Sequence, residues 1–174
     1  MKNEIIIRNA EKADVMQIAE ILVEDWQKAY RGIMDDAFLD SMRADQRYEI
    51  EVKRYQKYVV AADGNEILGY AWLELSEEEP ADCEVIALYV RYSKRNNGIG
   101  KRLMEYAFDH FREMGKKTMI VWCLKANIES GRFYEKVGGK EFRTGTHPWG
   151  GKEYDMISYL YDLEALSTEE EDRT

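Results

Sequence analysis

The chain has 174 residues, 45% of them hydrophobic and 34% charged, and carries a net charge of -9. That length suits one domain of ordinary size, and the mixture argues against collagen-like, low-complexity and largely disordered chains. The acid excess, concentrated at Glu74 to Glu84 and at Glu169 to Asp172, argues against a nucleic-acid partner, which needs clustered Lys and Arg, and suits a cationic one.

No apolar run reaches the roughly 20 residues of a membrane helix, and Asn3 and Glu4 interrupt what would be a signal segment. The expectation is a cytoplasmic protein without a membrane partner. Cys83 and Cys123 both lie in apolar, strand-like segments, which reads as two buried reduced thiols rather than a disulfide frame.

In chain order, Ile5 to Arg8 reads as a first strand, and Asp14 with Gln17 has the form of a capping box. Val15, Ile18, Ala19, Leu22, Trp26, Ala29 and Tyr30 then recur at helical spacing up to Gly32. Asp36 to Lys57 predicts a short and a longer helix, the latter with Tyr48, Val52 and Tyr55 on a thin apolar face. Tyr58 to Ala62 and Glu66 to Leu75 predict a hairpin turned at Asp63, Gly64 and Asn65. Pro80 sits in the exposed loop that follows.

Glu84 to Val90 is a strand that feeds the polar, glycine-bearing stretch Arg91 to Gly100, and Leu103, Met104, Ala107, Phe108 and Phe111 mark the next helix, ending near Gly115. Thr118 to Leu124 is a buried strand and Asn127 to Val137 a short helix. Lys140 to Thr144 and Tyr154 to Tyr161 are the last strands, joined through His147, Pro148, Trp149, Gly150 and Gly151. Residues 167 to 174 carry four acids and no apolar residue and read as a disordered tail behind a domain over 1 to 166. The order predicts an α/β fold with a mixed sheet.

The junction at Gly98 and Gly100 carries the chemistry. Successive backbone N–H groups where a strand turns into a helix form an anion-binding concavity, helped by the helix dipole. Glycine lets a ligand approach that backbone, and Lys94, Arg95, Lys101 and Arg102 add positive charge. A P-loop would need glycine at Arg95 and Ser or Thr at Arg102, and a dinucleotide fingerprint would need glycine or alanine at Leu103.

Arg95-Asn96-Asn97-Gly98-Ile99-Gly100, following Leu88-Tyr89-Val90, resembles the R/Q-x-x-G-x-G/A signature of the GNAT acetyltransferase family. Asn127, Ser130, Phe133, Tyr134 and Gly138 resemble that family's N-x-x-S/A-x-x-F-Y-x-x-x-G segment, and Trp26 to Gly32 is similar to a W-x-x-x-Y-R-G stretch of many bacterial members. Tyr92 stands where many relatives have proline, Asn96 and Asn97 where glycine and a basic residue are common, and Gly139 where an aromatic is frequent.

The resemblance implies a GNAT-like, mostly antiparallel mixed sheet of six to seven strands flanked by helices, and an acetyl-CoA-dependent N-acetyltransferase. Acetyl-CoA would lie along Leu88, Tyr89 and Val90, with its diphosphate at Arg95, Asn96, Asn97, Gly98, Ile99, Gly100 and Lys101 and further contacts from Asn127 and Tyr134. The acceptor would be an amine of a small molecule, polyamine, antibiotic or protein, and relatives are commonly homodimers.

A lysine-like amine titrates near 10.4, so freeing it at pH 7 costs roughly 4 to 5 kcal/mol and a base is useful. Glu84 matches an acidic position used by many members and is either that base or a solvated acid at a strand start. Tyr134 matches the family tyrosine that protonates the departing thiolate. Asn127 also reads as a helix cap. Trp26, Tyr30, Trp149 and Tyr154 would shape the acceptor site and offer cation-π faces. His147 and His110 lack companions at ligand spacing, so no metal is expected. A non-catalytic acyl-CoA sensor is the alternative reading.

Overall fold

A computed structural model describes residues 4–166; the acidic tail expected at 167 to 174 lies outside them. Seven strands run β1 (Ile6–Asn9), β2 (Tyr58–Asp63), β3 (Glu66–Leu75), β4 (Cys83–Val90), β5 (Thr118–Leu124), β6 (Lys140–Trp149) and β7 (Lys152–Asp162). Five helices accompany them: α1 (Val15–Ala29), α2 (Asp36–Ser41), α3 (Ala44–Glu51), α4 (Ile99–Glu113) and α5 (Ile128–Lys136). The sheet order is β1-β2-β3-β4-β5-β7-β6. β4 pairs parallel with β5, and the registers of β1 with β2, β2 with β3, β5 with β7 and β6 with β7 are antiparallel. This is the mixed α/β sheet that the element order predicts.

The chain divides into two units, residues 4–73 with 87–104 and residues 74–86 with 105–166. In the first, the α1 stripe Ile18, Ile21 and Leu22 packs on Tyr58, Val60, Ala62, Ile67 and Tyr70 of β2 and β3. Five successive residues of β2, Tyr58 to Ala62, are buried, the pattern of a strand covered on both faces rather than one alternating with solvent. In the second, Phe108 of α4 packs against Tyr161 of β7, 5.3 Å between rings, and Tyr134 of α5 against Tyr159, 5.8 Å.

Three local expectations change. The capping box is formed by Glu11 and Asp14 around a one-turn 3-10 helix rather than by Asp14 and Gln17, and Asp14 also binds Arg8 at 2.7 Å. Gln17 instead reaches the β2–β3 turn, donating to the Asn65 carbonyl and accepting from the Ile67 N–H, both at 2.9 Å. The longer helix stops at Glu51, so that Val52 and Tyr55 of the predicted apolar face lie beyond α3, with Tyr55 packed against the core; the buried residue of α3 is Glu51, which pairs with Arg47 and Arg54 and accepts a short hydrogen bond from the Tyr58 hydroxyl. The final hairpin is longer than its sequence predicts. β6 continues through His147 and Pro148 to Trp149, and Gly150 and Gly151 turn it with φ of 56° and 79°.

Cys83 and Cys123 are both free and buried, as read from the sequence, and burial pushes each thiol up to about 12. Among the described residues no helix is long and apolar enough to cross a membrane.

Candidate acetyl-CoA site

In the first unit, Gly69 of β3 lets the β4 backbone come close. A Cβ there would stand 2.8 Å from the Tyr89 carbonyl oxygen and 3.2 Å from the Val90 Cα. Arg91, just past β4, is tied back to β3 by its N–H on the Leu68 carbonyl at 2.7 Å and its Nε on the Ile67 carbonyl at 3.1 Å. Beyond it a single 3-10 turn, Tyr92–Lys94, leads into the loop that starts α4.

That loop has the backbone an anion site requires. Asn96 has φ of 61° and Gly98 φ of 75°, left-handed conformations that only glycine, and to a lesser degree asparagine, adopt readily. The Asn97 amide closes the turn by donating to the Lys94 and Arg95 carbonyls at 3.1 Å each. A Cβ at Gly98 would meet nothing within 4 Å, so the glycine opens onto space. The first N–H groups of α4 have no partner within their own helix. The residues fit a diphosphate received by backbone amides.

Three of the cations at this turn are engaged by other groups of the protein. The Arg95 guanidinium pairs with Asp25, a buried residue of α1, and lies 4.9 Å over the Tyr92 ring. Lys94 sits 3.5 Å from Glu66, and Arg102 donates to the Ile5 carbonyl at 2.7 Å. Lys101 is exposed.

Trp26 on α1 and Tyr30, which caps the end of that helix, stand together with ring centroids 5.2 Å apart, and Trp26 donates to the Tyr89 hydroxyl at 2.9 Å. Tyr89 continues the aromatic series to Tyr70 at 5.6 Å. Burial pushes its hydroxyl up to about 12, with Asp25 adding to the rise and the bond from Trp26 opposing it. The side chain of Tyr89 and its link to Trp26 were not legible in the sequence, because strand periodicity does not tell what a side chain meets.

In the second unit, Glu84 near the start of β4 is half-buried. Burial first, then the like charges of Glu78 and Glu74, push its carboxyl up to about 7. Glu78 accepts from the Trp122 indole at 2.9 Å and pairs with Arg143 at 3.0 Å. The Glu84 carboxylate makes no hydrogen bond or ion pair among the described residues.

Asn127 caps α5, its side-chain oxygen accepting from the Ser130 N–H at 3.2 Å. Tyr134 is buried on the same helix, its ring 5.3 Å from Phe133. Its carbonyl accepts from the Tyr161 hydroxyl at 2.8 Å. A Cβ at Gly139 would come 2.8 Å from both the Tyr134 carbonyl oxygen and the Tyr161 ring, so glycine at this place makes room for Tyr161. Trp149 and Tyr154 pair across the β6–β7 hairpin, with rings 6.3 Å apart, and His147 lies 4.2 Å from Trp149. No cluster of metal-binding type occurs among the described residues.

The family model described as the Acetyltransferase (GNAT) family matches residues 15–139, a span holding the glycine loop, Glu84, Asn127 and Tyr134. The chain belongs to the GNAT acetyltransferase family. It is an acetyl-CoA-dependent N-acetyltransferase. It is 27% identical over 140 residues to a Mycobacterium tuberculosis protein named a probable N-acetyltransferase, covering 77% of this chain and 79% of that one. In fold the acetyltransferase is similar to the Salmonella typhimurium protein yncA, solved with its cofactor acetyl-CoA, at a TM-score of 0.69 and 22% identity, covering 92% of this chain and 95% of that one. It is also similar to the paia N-acetyltransferase of Thermoplasma acidophilum, solved in complex with coenzyme A, at a TM-score of 0.70 and 21% identity, covering 91% and 99%.

Proposed function

We propose that this acetyltransferase acts in the cytoplasm on a primary amine of a small molecule, polyamine, antibiotic or protein, with Glu84 as the proton acceptor and Tyr134 as the proton donor. The observation that carries the reading is the Glu84 carboxyl. It is half-buried and, through that burial and the like charges of Glu78 and Glu74, pushed up to about 7, where a base both exists in its charged form and binds a proton well. The acids Glu74 and Glu78 beside it favour the approach of an ammonium group.

Acetyl-CoA supplies an acetyl thioester and a thiol leaving group. The loop from Arg95 to Lys101 would hold its diphosphate on backbone amides, Leu88 to Val90 would lie along its pantetheine arm, and Asn127 would add a polar contact. Glu84, directly or through a water, takes one proton from the acceptor ammonium, which leaves a neutral amine with a free lone pair. The new C–N bond forms as the C–S bond breaks. The Tyr134 hydroxyl gives its proton to the sulfur and regains one from the nitrogen of the product or from solvent. Trp26 and Tyr30 in the first unit, and Trp149 and Tyr154 in the second, would each offer an aromatic face to a cationic acceptor.

The test is thiol release from acetyl-CoA over a panel of amines, aminoglycosides and peptide N-termini, across pH 5.5 to 9. With an accepted amine, kcat/KM should rise with pH along a limb centred near 7, because Glu84 works only when ionised. Glu84→Gln should remove that limb and lower the rate about 100-fold. A limb that persists in Glu84→Gln assigns the base elsewhere, and an entire panel without thiol release overturns the amine acceptor.

A further inference from the structure

α1 presents two consecutive polar side chains to the cofactor segments of its own unit. Trp26 reaches Tyr89 on β4, and Asp25 reaches Arg95 at the head of the glycine loop. Asp25 is unusual for its place, since the residues it joins on the inner stripe of the helix, Val15, Ile18, Ala19, Ile21, Leu22 and Val23, are all apolar. Its side chain is 5% exposed. A carboxylate so buried needs a compensating charge and hydrogen bond, and the partner is the arginine that opens the diphosphate motif.

Arg95 is held from a second side as well. Its guanidinium lies 4.9 Å over the Tyr92 ring, and Lys28, one helical turn beyond Asp25, lies 4.8 Å over the same ring. Tyr92 thus gives the arginine a face to stack on. The Arg95 carbonyl in turn accepts from the Asn97 side chain, so fixing residue 95 fixes the turn through Asn96 and Gly98, the two residues of the loop with positive φ.

We propose that Asp25 is a positioning residue for acetyl-CoA. By binding the Arg95 guanidinium it locks the loop in the form whose backbone amides receive the diphosphate, and it turns that guanidinium away from the ligand. The division of labour differs from the usual bidentate grip of arginine on phosphate: in this chain the amides hold the anion and the arginine holds the amides. The proposal rests on the loop being the diphosphate site.

The experiment measures dissociation constants by calorimetry for acetyl-CoA and for S-acetylpantetheine, which has the thioester arm but no diphosphate. Four folded proteins are compared: wild type, Asp25→Asn, Arg95→Gln and the double variant. Each single substitution should weaken acetyl-CoA about tenfold and leave S-acetylpantetheine within about twofold. The double variant should be no weaker than the weaker single, because both act through one contact. It also removes both charges together, so it reports even if a single variant folds poorly. Multiplied losses in the double variant would mean that Arg95 touches the cofactor itself, and equal losses for both ligands would mean that Asp25 merely supports the fold; either result overturns the proposal, as does an unchanged affinity in Asp25→Asn. Gly98→Val is the control for the site. If it leaves acetyl-CoA binding intact, the loop reading falls; if it abolishes binding while Asp25→Asn does not, the positioning role alone falls.

Discussion

Two carboxylates removed from bulk water show how differently burial can be used in one chain. Glu51, at the end of α3, is 1% exposed and is met by two guanidinium groups and a tyrosine hydroxyl. Glu84, near the start of β4, is half-buried among other carboxylates and pushed up to about 7. The first is bound by Arg47, Arg54 and Tyr58, so it fixes structure. The second is an ion in an unfavourable setting, so it changes protonation at working pH. Burial alone does not separate the two roles; the sign of the neighbours does.

The sharpest way to break this contrast is at Glu51. Glu51→Ala should lower unfolding stability by about 3 kcal/mol, since it leaves Arg47, Arg54 and the Tyr58 hydroxyl without their shared acceptor. Urea denaturation at pH 7 measures it, and a loss under about 1 kcal/mol would mean the network is worth no more than exposed ion pairs.

A smaller effect is expected at Tyr134, the proposed proton donor. Tyr134→Phe should lower kcat about 10- to 100-fold while the acetyl-CoA dissociation constant stays within about twofold. If affinity falls and kcat does not, the tyrosine serves binding and packing only.

The smallest effect is on stability at Glu84 itself, and its direction is opposite to that at Glu51. The folded carboxyl is raised from 4.5 to about 7, so the folded state holds its proton more tightly than the unfolded chain. Stability therefore falls as pH climbs through that window, while below it both states are protonated and nothing is lost. Glu84→Gln should stabilise the protein at pH 8 by about 1 to 2 kcal/mol relative to its effect at pH 4, a figure reduced for the solvent that still screens the group. Equal effects at the two pH values would show that Glu84 is not strained by its surroundings.

The turn and the helix cap within the candidate site were legible in advance, because their signals are local. Gly98 and Asn96 announce a backbone turn through their own conformational tolerance, and both have positive φ. Asn127 announces a cap, and it accepts the N–H three residues ahead. The sequence was less informative about Arg95, which reads as a phosphate cation and also pairs with Asp25, and about Gln17, which reads as half of a capping box but braces the β2–β3 turn from α1. The end of α3 was hidden for the same reason: Tyr48, Val52 and Tyr55 supply a helical periodicity, and Tyr55 does pack against the core, but the helix stops at Glu51, which is buried where Arg47, Arg54 and Tyr58 receive it. Strand ends also depend on partners. β6 runs on through Pro148 because β7 pairs with it residue for residue, from Thr144 opposite Ile157 to Trp149 opposite Lys152.

What the sequence by itself determined, then, was the order of helices and strands and the left-handed turn at Asn96 and Gly98, since each follows from preferences that act within a few neighbouring residues, while its motifs carried the resemblance to the family. Only the tertiary structure decided where the charges end up. An arginine, a glutamate or an aspartate acquires its role from the side chain it meets across the fold, and electrostatic energy depends on that distance and on the water excluded around it rather than on separation along the chain.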